Sequence, residues 1–258
     1  MISKSQIKYV NSLNSKKGRE EEGCFIAEGM KVVEEFLTGG FVAKEIYGVK
    51  AIEFKVKGLS VSQTDLKFHV ISESELKKIS ALTTPNQVLA VFKMPEQELN
   101  VDLLKSKLSL VLDTIQDPGN MGTIIRIADW YGIENIICSP DTVDCFNPKV
   151  VQATMGSLAR VKVHYTDIIK LIESVKDVPV YGAILGGDNI YKSELSENGF
   201  IVMGNESKGI SEKILKHITH KISIPSFSNQ KNNATGKTGA ESLNVAVATA
   251  IICSEFRR

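Results

Sequence analysis

Apolar and polar positions along this chain switch repeatedly between two periods. Short apolar runs of strand length lie at residues 24–27, 44–49, 87–93, 108–112, 135–138, 161–165, 180–185, 200–203 and 221–225. Those at 108–112 and 200–203 are apolar with little alternation, which fits strands covered on both faces of a mostly parallel sheet. Between the runs lie stretches with helical spacing. Ile7, Val10 and Leu13 share one face of residues 5–14. Residues 28–37 read as a helix stopped by Gly39 and Gly40. Residues 72–79 open on Ser72, with Glu75 at the capping-box position. Further helices are expected at 148–158 and 167–175. The last, 242–255, is apolar nearly all round and is expected to be buried.

Strands alternating with helices make this an α/β protein. A polar stretch with Pro95 separates two such runs, so the expected plan is a small α/β domain over 1–94, a linker over 95–107 and a larger domain over 108–258. In the larger domain a strand at 108–112 enters a sharp turn holding Pro118, Gly119, Asn120 and Gly122, then an apolar-periodic helix carrying Arg126. Strand, glycine turn and helix start together aim backbone N–H groups at one spot, a site for an anion.

Composition narrows the partner. The chain has 258 residues and a net charge of +1, so a nucleic acid would have to be held by local patches. Lys16, Lys17 and Arg19 make one basic cluster, either an RNA-phosphate edge or a solvated loop; the acidic run Glu20, Glu21, Glu22 beside it weakens the first reading. Cys24, Cys138, Cys145 and Cys253 show no C-x-x-C pair or metal spacing and read as buried reduced thiols; no metal site is expected. With no long apolar segment and no leader pattern at the start, no membrane partner is expected and the default compartment is the cytoplasm.

Familiar catalytic patterns are missing. The sequence has no G-x-G-x-x-G after the first strand of the larger domain, no H-E-x-x-H and no G-x-S-x-G. Thr235, Gly236, Lys237 and Thr238 imitate the tail of a P-loop, but the required upstream glycine is Lys231. What remains is three strand-to-loop segments. They read Asp-Pro-Gly-Asn-x-Gly-x-Ile-x-Arg-x-Ala at 117–128, Met-Gly-Asn-Glu-x-x-Gly-Ile-Ser at 203–211, and Ile-Pro at 224–225 followed by Glu-Ser-Leu-Asn-Val-Ala-Val-Ala at 241–248. Each alone has a structural explanation: Asn120 as a helix cap, Glu206 as a surface carboxylate, Asn244 as a buried polar group with a local partner. Loops at the carboxyl ends of strands nevertheless build ligand sites in open α/β sheets.

In combination and order these segments resemble the three signature motifs of the SpoU/TrmH family, RNA ribose 2′-O-methyltransferases of the SPOUT superfamily. The N-terminal region is similar to that family's small RNA substrate-binding domain. The resemblance implies a deep trefoil knot in the C-terminal domain, S-adenosylmethionine as cofactor and a homodimer with a composite active site. It implies cofactor contacts from Met203, Gly204, Asn205, Glu206, Gly209, Ile224, Pro225, Ser242 and Leu243. Arg126 is implied as the chief catalytic residue, with Asn120, Glu206, Ser242 and Asn244 orienting it and the ribose. Guanidinium keeps its proton at neutral pH, so Arg126 is read as gripping a phosphate and stabilising the developing alkoxide. S-adenosylmethionine carries no phosphate, so the anion at the 117–122 turn is expected to be that of the RNA. Ribosomal RNA is the first expectation for substrate and transfer RNA the second. Two departures from the family pattern are Ser207 in place of a common glycine and Ser226 in place of a common methionine. The 226–240 loop also looks long, and its Lys231 and Lys237 are candidate RNA contacts. Competing readings are a non-catalytic RNA-binding protein with a degenerate site, and a nucleotide-binding enzyme using the 117–122 loop.

Overall fold

The computed structural model describes residues 1–59, 66–227 and 241–258. They form two compact units. One is Met1–Gln97 with Asp144–Arg160; the other is Glu98–Val143 with Val161–Arg258.

The first unit runs α1 (Lys4–Ser12), α2 (Lys16–Glu22), β1 (Cys24–Glu28), α3 (Met30–Thr38), β2 (Ala43–Gly48), α4 (Glu53–Leu59), β3 (Lys67–Val70), α5 (Glu73–Leu76) and β4 (Val88–Lys93). Its sheet has the order β1-β4-β2-β3. β4 pairs antiparallel with both β1 and β2, and β2 pairs parallel with β3. Three details depart from the sequence reading. Glu28 ends β1 instead of opening a helix, because Gly29 turns the chain at φ 90° before α3 begins. Residues 16–22 are helical, capped by the Ser15 side chain. β3 is four residues long and half-exposed, too short to stand out as a pattern.

The second unit opens with α6 (Val101–Ser106), where a linker is expected; Leu104 anchors it by full burial in that unit's core. Then come β5 (Leu108–Leu112), α7 (Pro118–Trp130) and β6 (Asn135–Cys138). The next helix, α8 (Pro148–Thr154), belongs to the first unit. The second unit resumes with β7 (Lys162–Tyr165), α9 (Ile168–Ser174), β8 (Val180–Asn189), β9 (Gly199–Met203), α10 (Glu212–Leu215), β10 (His220–Ser223) and α11 (Val245–Phe256). Its sheet is parallel at every pairing, in the order β10-β8-β9-β5-β6-β7. β5, β6 and β7 are laid down in one direction, and β9 returns to the other side of β5. The order therefore reverses between β5 and β9, and ligands of open α/β sheets bind outside the carboxyl ends at that point. The knot implied by the resemblance concerns the return from β10 to α11. Residues 228–240 of that return, with the P-loop-like run, lie outside the described residues.

Segment 144–160 is expected in the second domain, but its side chains pack in the first unit. Phe146 lies 4.6 Å, centroid to centroid, from Phe25, which also packs on Phe36 and Phe92. Gly156, at φ 96°, presses on Glu35, where a Cβ would come within 2.5 Å of the side chain. Arg160 pairs with Glu35. α8 also stops at Thr154, since Met155 and Gly156 are both left-handed.

α11 is not buried all round. Thr249, Ile252 and Cys253 are buried, while Val247 is 50% exposed. The four cysteines are buried and form no disulfide, and burial pushes the Cys253 thiol up to about 12. Among the described residues, no helix is long and apolar enough to cross a membrane.

Candidate active site

The site is built at the carboxyl ends of β5 and β9, which lie side by side with Leu112 opposite Met203. The Asp113 N–H donates to the Met203 carbonyl at 2.9 Å, extending that pairing by one residue. Asp113 is 5% exposed; its Oδ2 accepts the Ser211 N–H at 2.7 Å and its Oδ1 accepts the Thr114 hydroxyl. Thr114 holds φ at 61°, a left-handed conformation that is uncommon outside glycine. Its carbonyl accepts Asn205 Nδ2 at 2.9 Å. The strained turn after β5 is thereby tied to the loop after β9. Asp113 and Thr114 are site-building residues that sequence reasoning did not single out; the available signal was an acidic residue directly after a buried apolar strand.

The loop after β9 is closed on itself. The Asn205 and Gly209 backbones exchange hydrogen bonds at 3.0 and 2.8 Å, and Asn205 Oδ1 accepts the N–H groups of Ser207 and Lys208. Gly204 leaves no room for a side chain: a Cβ there would lie 2.2 Å from the Gly209 carbonyl carbon. Met203 is buried, while Glu206 and Gly209 are exposed.

α7 is capped by Asp117, whose Oδ1 accepts the Asn120 N–H at 2.7 Å, and Pro118 occupies the first turn. Asn120 is therefore not the cap, and its side chain is free for other work. Asn120 Nδ2 donates to Glu206 Oε1 at 2.7 Å, and Asn120 Oδ1 accepts Asn244 Nδ2 at 2.9 Å. Asn244 meanwhile caps α11, its Oδ1 accepting the Ala246 and Val247 N–H groups. One amide thus joins all three motifs across sequence separations of 86 and 124 residues.

Other expected site residues are placed nearby on the chain but outside this bridge. Arg126 lies six residues beyond Asn120 on α7, about 9 Å further along the axis. Arg126 and Ser242 are exposed. Ile224 and Pro225 follow β10, half-buried. Leu243 is 49% and Phe227 70% exposed, two apolar side chains open at the loop ends that follow β10 and precede α11.

Of the basic residues, Lys16 and Lys17 are exposed and pair with Glu20 and Glu21. Lys231 and Lys237 lie outside the described residues. Arg19 is a correction. It is 1% exposed, its Nε donates to Asp144 Oδ2 at 2.9 Å, and its Nη1 donates to the Leu13 and Asn14 carbonyls. A guanidinium spent this way is a bolt inside the first unit and has no donors left facing RNA.

Comparison with known proteins identifies the family. Residues 107–254 match the SpoU rRNA Methylase family, and residues 4–90 match the MRM3-like substrate binding domain. The chain belongs to the SpoU methylase family. It is 30% identical to the 23S rRNA (guanosine(2553)-2′-O)-methyltransferase RlmP of Bacillus subtilis, over 98% of this chain and 96% of that one. Among solved structures, a TrmH-family protein from Porphyromonas gingivalis matches with a TM-score of 0.86 and 38% identity, covering 100% of this chain and 98% of the other. An rRNA methyltransferase from Sinorhizobium meliloti with AdoMet bound matches with a TM-score of 0.85 and 28% identity, covering 100% and 96%.

Proposed function

We propose that this SpoU-family chain is an S-adenosylmethionine-dependent enzyme that methylates a ribose 2′-hydroxyl in ribosomal RNA. The observation that carries the reading is the Glu206–Asn120–Asn244 bridge at the reversal point of the parallel sheet. The residues around it fit the cofactor. Gly204 lets two backbone segments touch, so the pocket wall is main chain, and Leu243 offers apolar surface for a ring. Met203, Asn205, Gly209, Ile224, Pro225 and Ser242 complete that wall.

S-adenosylmethionine, when bound, supplies a methyl group already activated on a sulfonium sulfur. The protein's task is alignment and a more nucleophilic hydroxyl. Arg126 grips the phosphate beside the target ribose and stabilises the alkoxide as it forms. Its guanidinium stays protonated throughout, so the proton leaves to the phosphate or to water. Asn120, held between Glu206 and Asn244, orients the ribose.

The working enzyme is a homodimer. Arg126 and Trp130 stand four residues apart on one face of α7, and Trp130 is 84% exposed. α11 packs beside α7 and leaves Val247 open. Joining two copies over these apolar side chains would hide them and carry Arg126 to the partner's cofactor. The C-terminal segment is threaded as the family's trefoil knot. The N-terminal unit binds the RNA, with Lys16 and Lys17 on phosphates and Lys231 and Lys237 adding contacts. The enzyme works in the cytoplasm.

The test combines calorimetric titration with S-adenosylmethionine and mapping of ribose methylation on ribosomal RNA. Wild type binds and transfers; Arg126→Ala binds the cofactor near normally and transfers nothing. Wild type doing neither would sink the enzyme reading. Equal loss of binding and transfer in Arg126→Ala would contradict the role given to Arg126.

A further inference from the structure

The first unit holds a cavity of about 340 Å³ that the methylation site does not use. Glu28 from the end of β1 lines it, opposite Lys149, Gln152 and Met155 of α8 and its cap. Ile26, Leu82, Pro148 and Ala153 supply apolar walls. The cavity exists because segment 144–160 folds into this unit.

Glu28 is the unusual wall. It is 5% exposed and forms no ion pair among the described residues. Its Oε1 accepts the Ala81 N–H at 2.8 Å and its Oε2 accepts the Ser80 hydroxyl. A carboxylate offers about four lone-pair sites, so two remain on a side chain that lines the cavity. Holding Ser80 and Ala81 does not require a charge; a glutamine could accept from one and donate to the other. A buried acceptor pair between apolar walls is matched by a flat ring with two adjacent N–H donors on one edge.

Among nucleobases that description selects guanine. Its N1–H and N2–H₂ groups adjoin, whereas adenine and cytosine set their amino group beside a ring-nitrogen acceptor. Uracil has one N–H between two carbonyls. Single-stranded RNA is read through such edges on unstacked bases. We propose that this cavity is an anchoring pocket for one unstacked guanine of the RNA. Glu28 takes its two donors, the Gln152 amide faces O6, and Lys149 takes the adjoining phosphate. Met155, at φ 52° and 37% exposed, is held in the left-handed region with its thioether against the ring. This inference rests on the RNA-directed function proposed above.

The experiment is a titration of the full chain carrying ¹³C-methyl methionine, read at the Met155 methyl resonance. The probes are the 5′-monophosphates of guanosine, adenosine, cytidine and uridine, and inorganic phosphate. Guanosine monophosphate should shift Met155 saturably and at the lowest concentration. Gln152→Ala should weaken it about tenfold, the value of one hydrogen bond to a polar base edge. Ala153→Leu, which fills the cavity, should remove the shift. Glu28→Gln, which can keep the Ser80 and Ala81 contacts, should erase the preference for guanine. Three results would overturn the proposal: no shift with any nucleotide, equal shifts with all four, or a phosphate shift equal to that of guanosine monophosphate. No cofactor and no methyl transfer enter this assay. A protein that methylates RNA but ignores guanosine monophosphate sinks the pocket alone; one that binds it but methylates nothing sinks the enzyme reading alone.

Discussion

Arg19→Met separates a structural arginine from an RNA-binding one. In the folded chain Arg19 donates through Nε and Nη2 to Asp144 and through Nη1 to two backbone carbonyls. Methionine keeps much of the volume and removes every donor. Asp144 then loses its ion-pair partner, and the Leu13 and Asn14 carbonyls lose theirs. Breaking one side of a buried pair costs about 3–5 kcal/mol. The Asp144 side chain is 15% exposed, so water softens the loss toward the lower end of that range. At about 2–4 °C per kcal/mol, the thermal midpoint should fall by roughly 10 °C. Arg19→Lys, which keeps the charge and loses the planar fork, should recover less than half of that. Differential scanning calorimetry of the full chain gives the midpoint, and filter binding to ribosomal RNA well below it gives affinity. Affinity should stay within about twofold, because no donor of Arg19 is offered to solvent. A midpoint unchanged within about 1 °C, together with weaker RNA binding, would refute the reasoning and return Arg19 to the RNA surface.

Three further outcomes follow from single contacts. Gly204→Ala forces a Cβ to within 2.2 Å of backbone that has no rotamer to yield; S-adenosylmethionine affinity by calorimetry should drop by more than about tenfold, or ~1.4 kcal/mol, with the fold retained by circular dichroism. Val247→Glu places a charge on the open apolar face of α11, and sedimentation should show monomers with transfer lost and cofactor binding kept. Burial raises the Glu28 carboxyl above its usual 4.5, so the folded state holds this proton more tightly than the unfolded chain. The contribution to stability is full below that value and is lost as pH rises through the raised one. Glu28→Gln should therefore show a smaller fall in thermal midpoint than wild type as pH is raised above 4.5.

The three motif loops were readable in sequence because their parts are local. Asp117, Pro118 and Gly119 write a helix start in three consecutive positions, and 108–112 writes a buried strand, whatever surrounds them. Asn244 is not legible this way: the pattern places it inside a helix over 242–255, whereas it is exposed and caps a helix that starts at Val245. What joins Asn120 to Glu206 and Asn244 has no local signature, and the order of the three motifs was the only trace of it. The first unit was less legible. α2 reads as a charged loop because Lys16 to Glu22 has almost no apolar face, yet i,i+4 ion pairs and the Ser15 cap suffice to form it. β3 is four residues that gain order only by pairing beside β2.

Local chemistry along the sequence determined the alternation of strands and helices, the caps and the three motif loops. Backbone propensity and side-chain periodicity act over a few residues, and those features need nothing more. Tertiary structure alone decided that Arg19 points inward to Asp144, and that residues 144–160 leave the second half of the chain to wall a cavity with Glu28. It also decided that one asparagine, Asn120, ties the three motifs together. Burial of charge and hydrogen bonds between distant residues depend on what the fold brings opposite, and no window of sequence contains both partners.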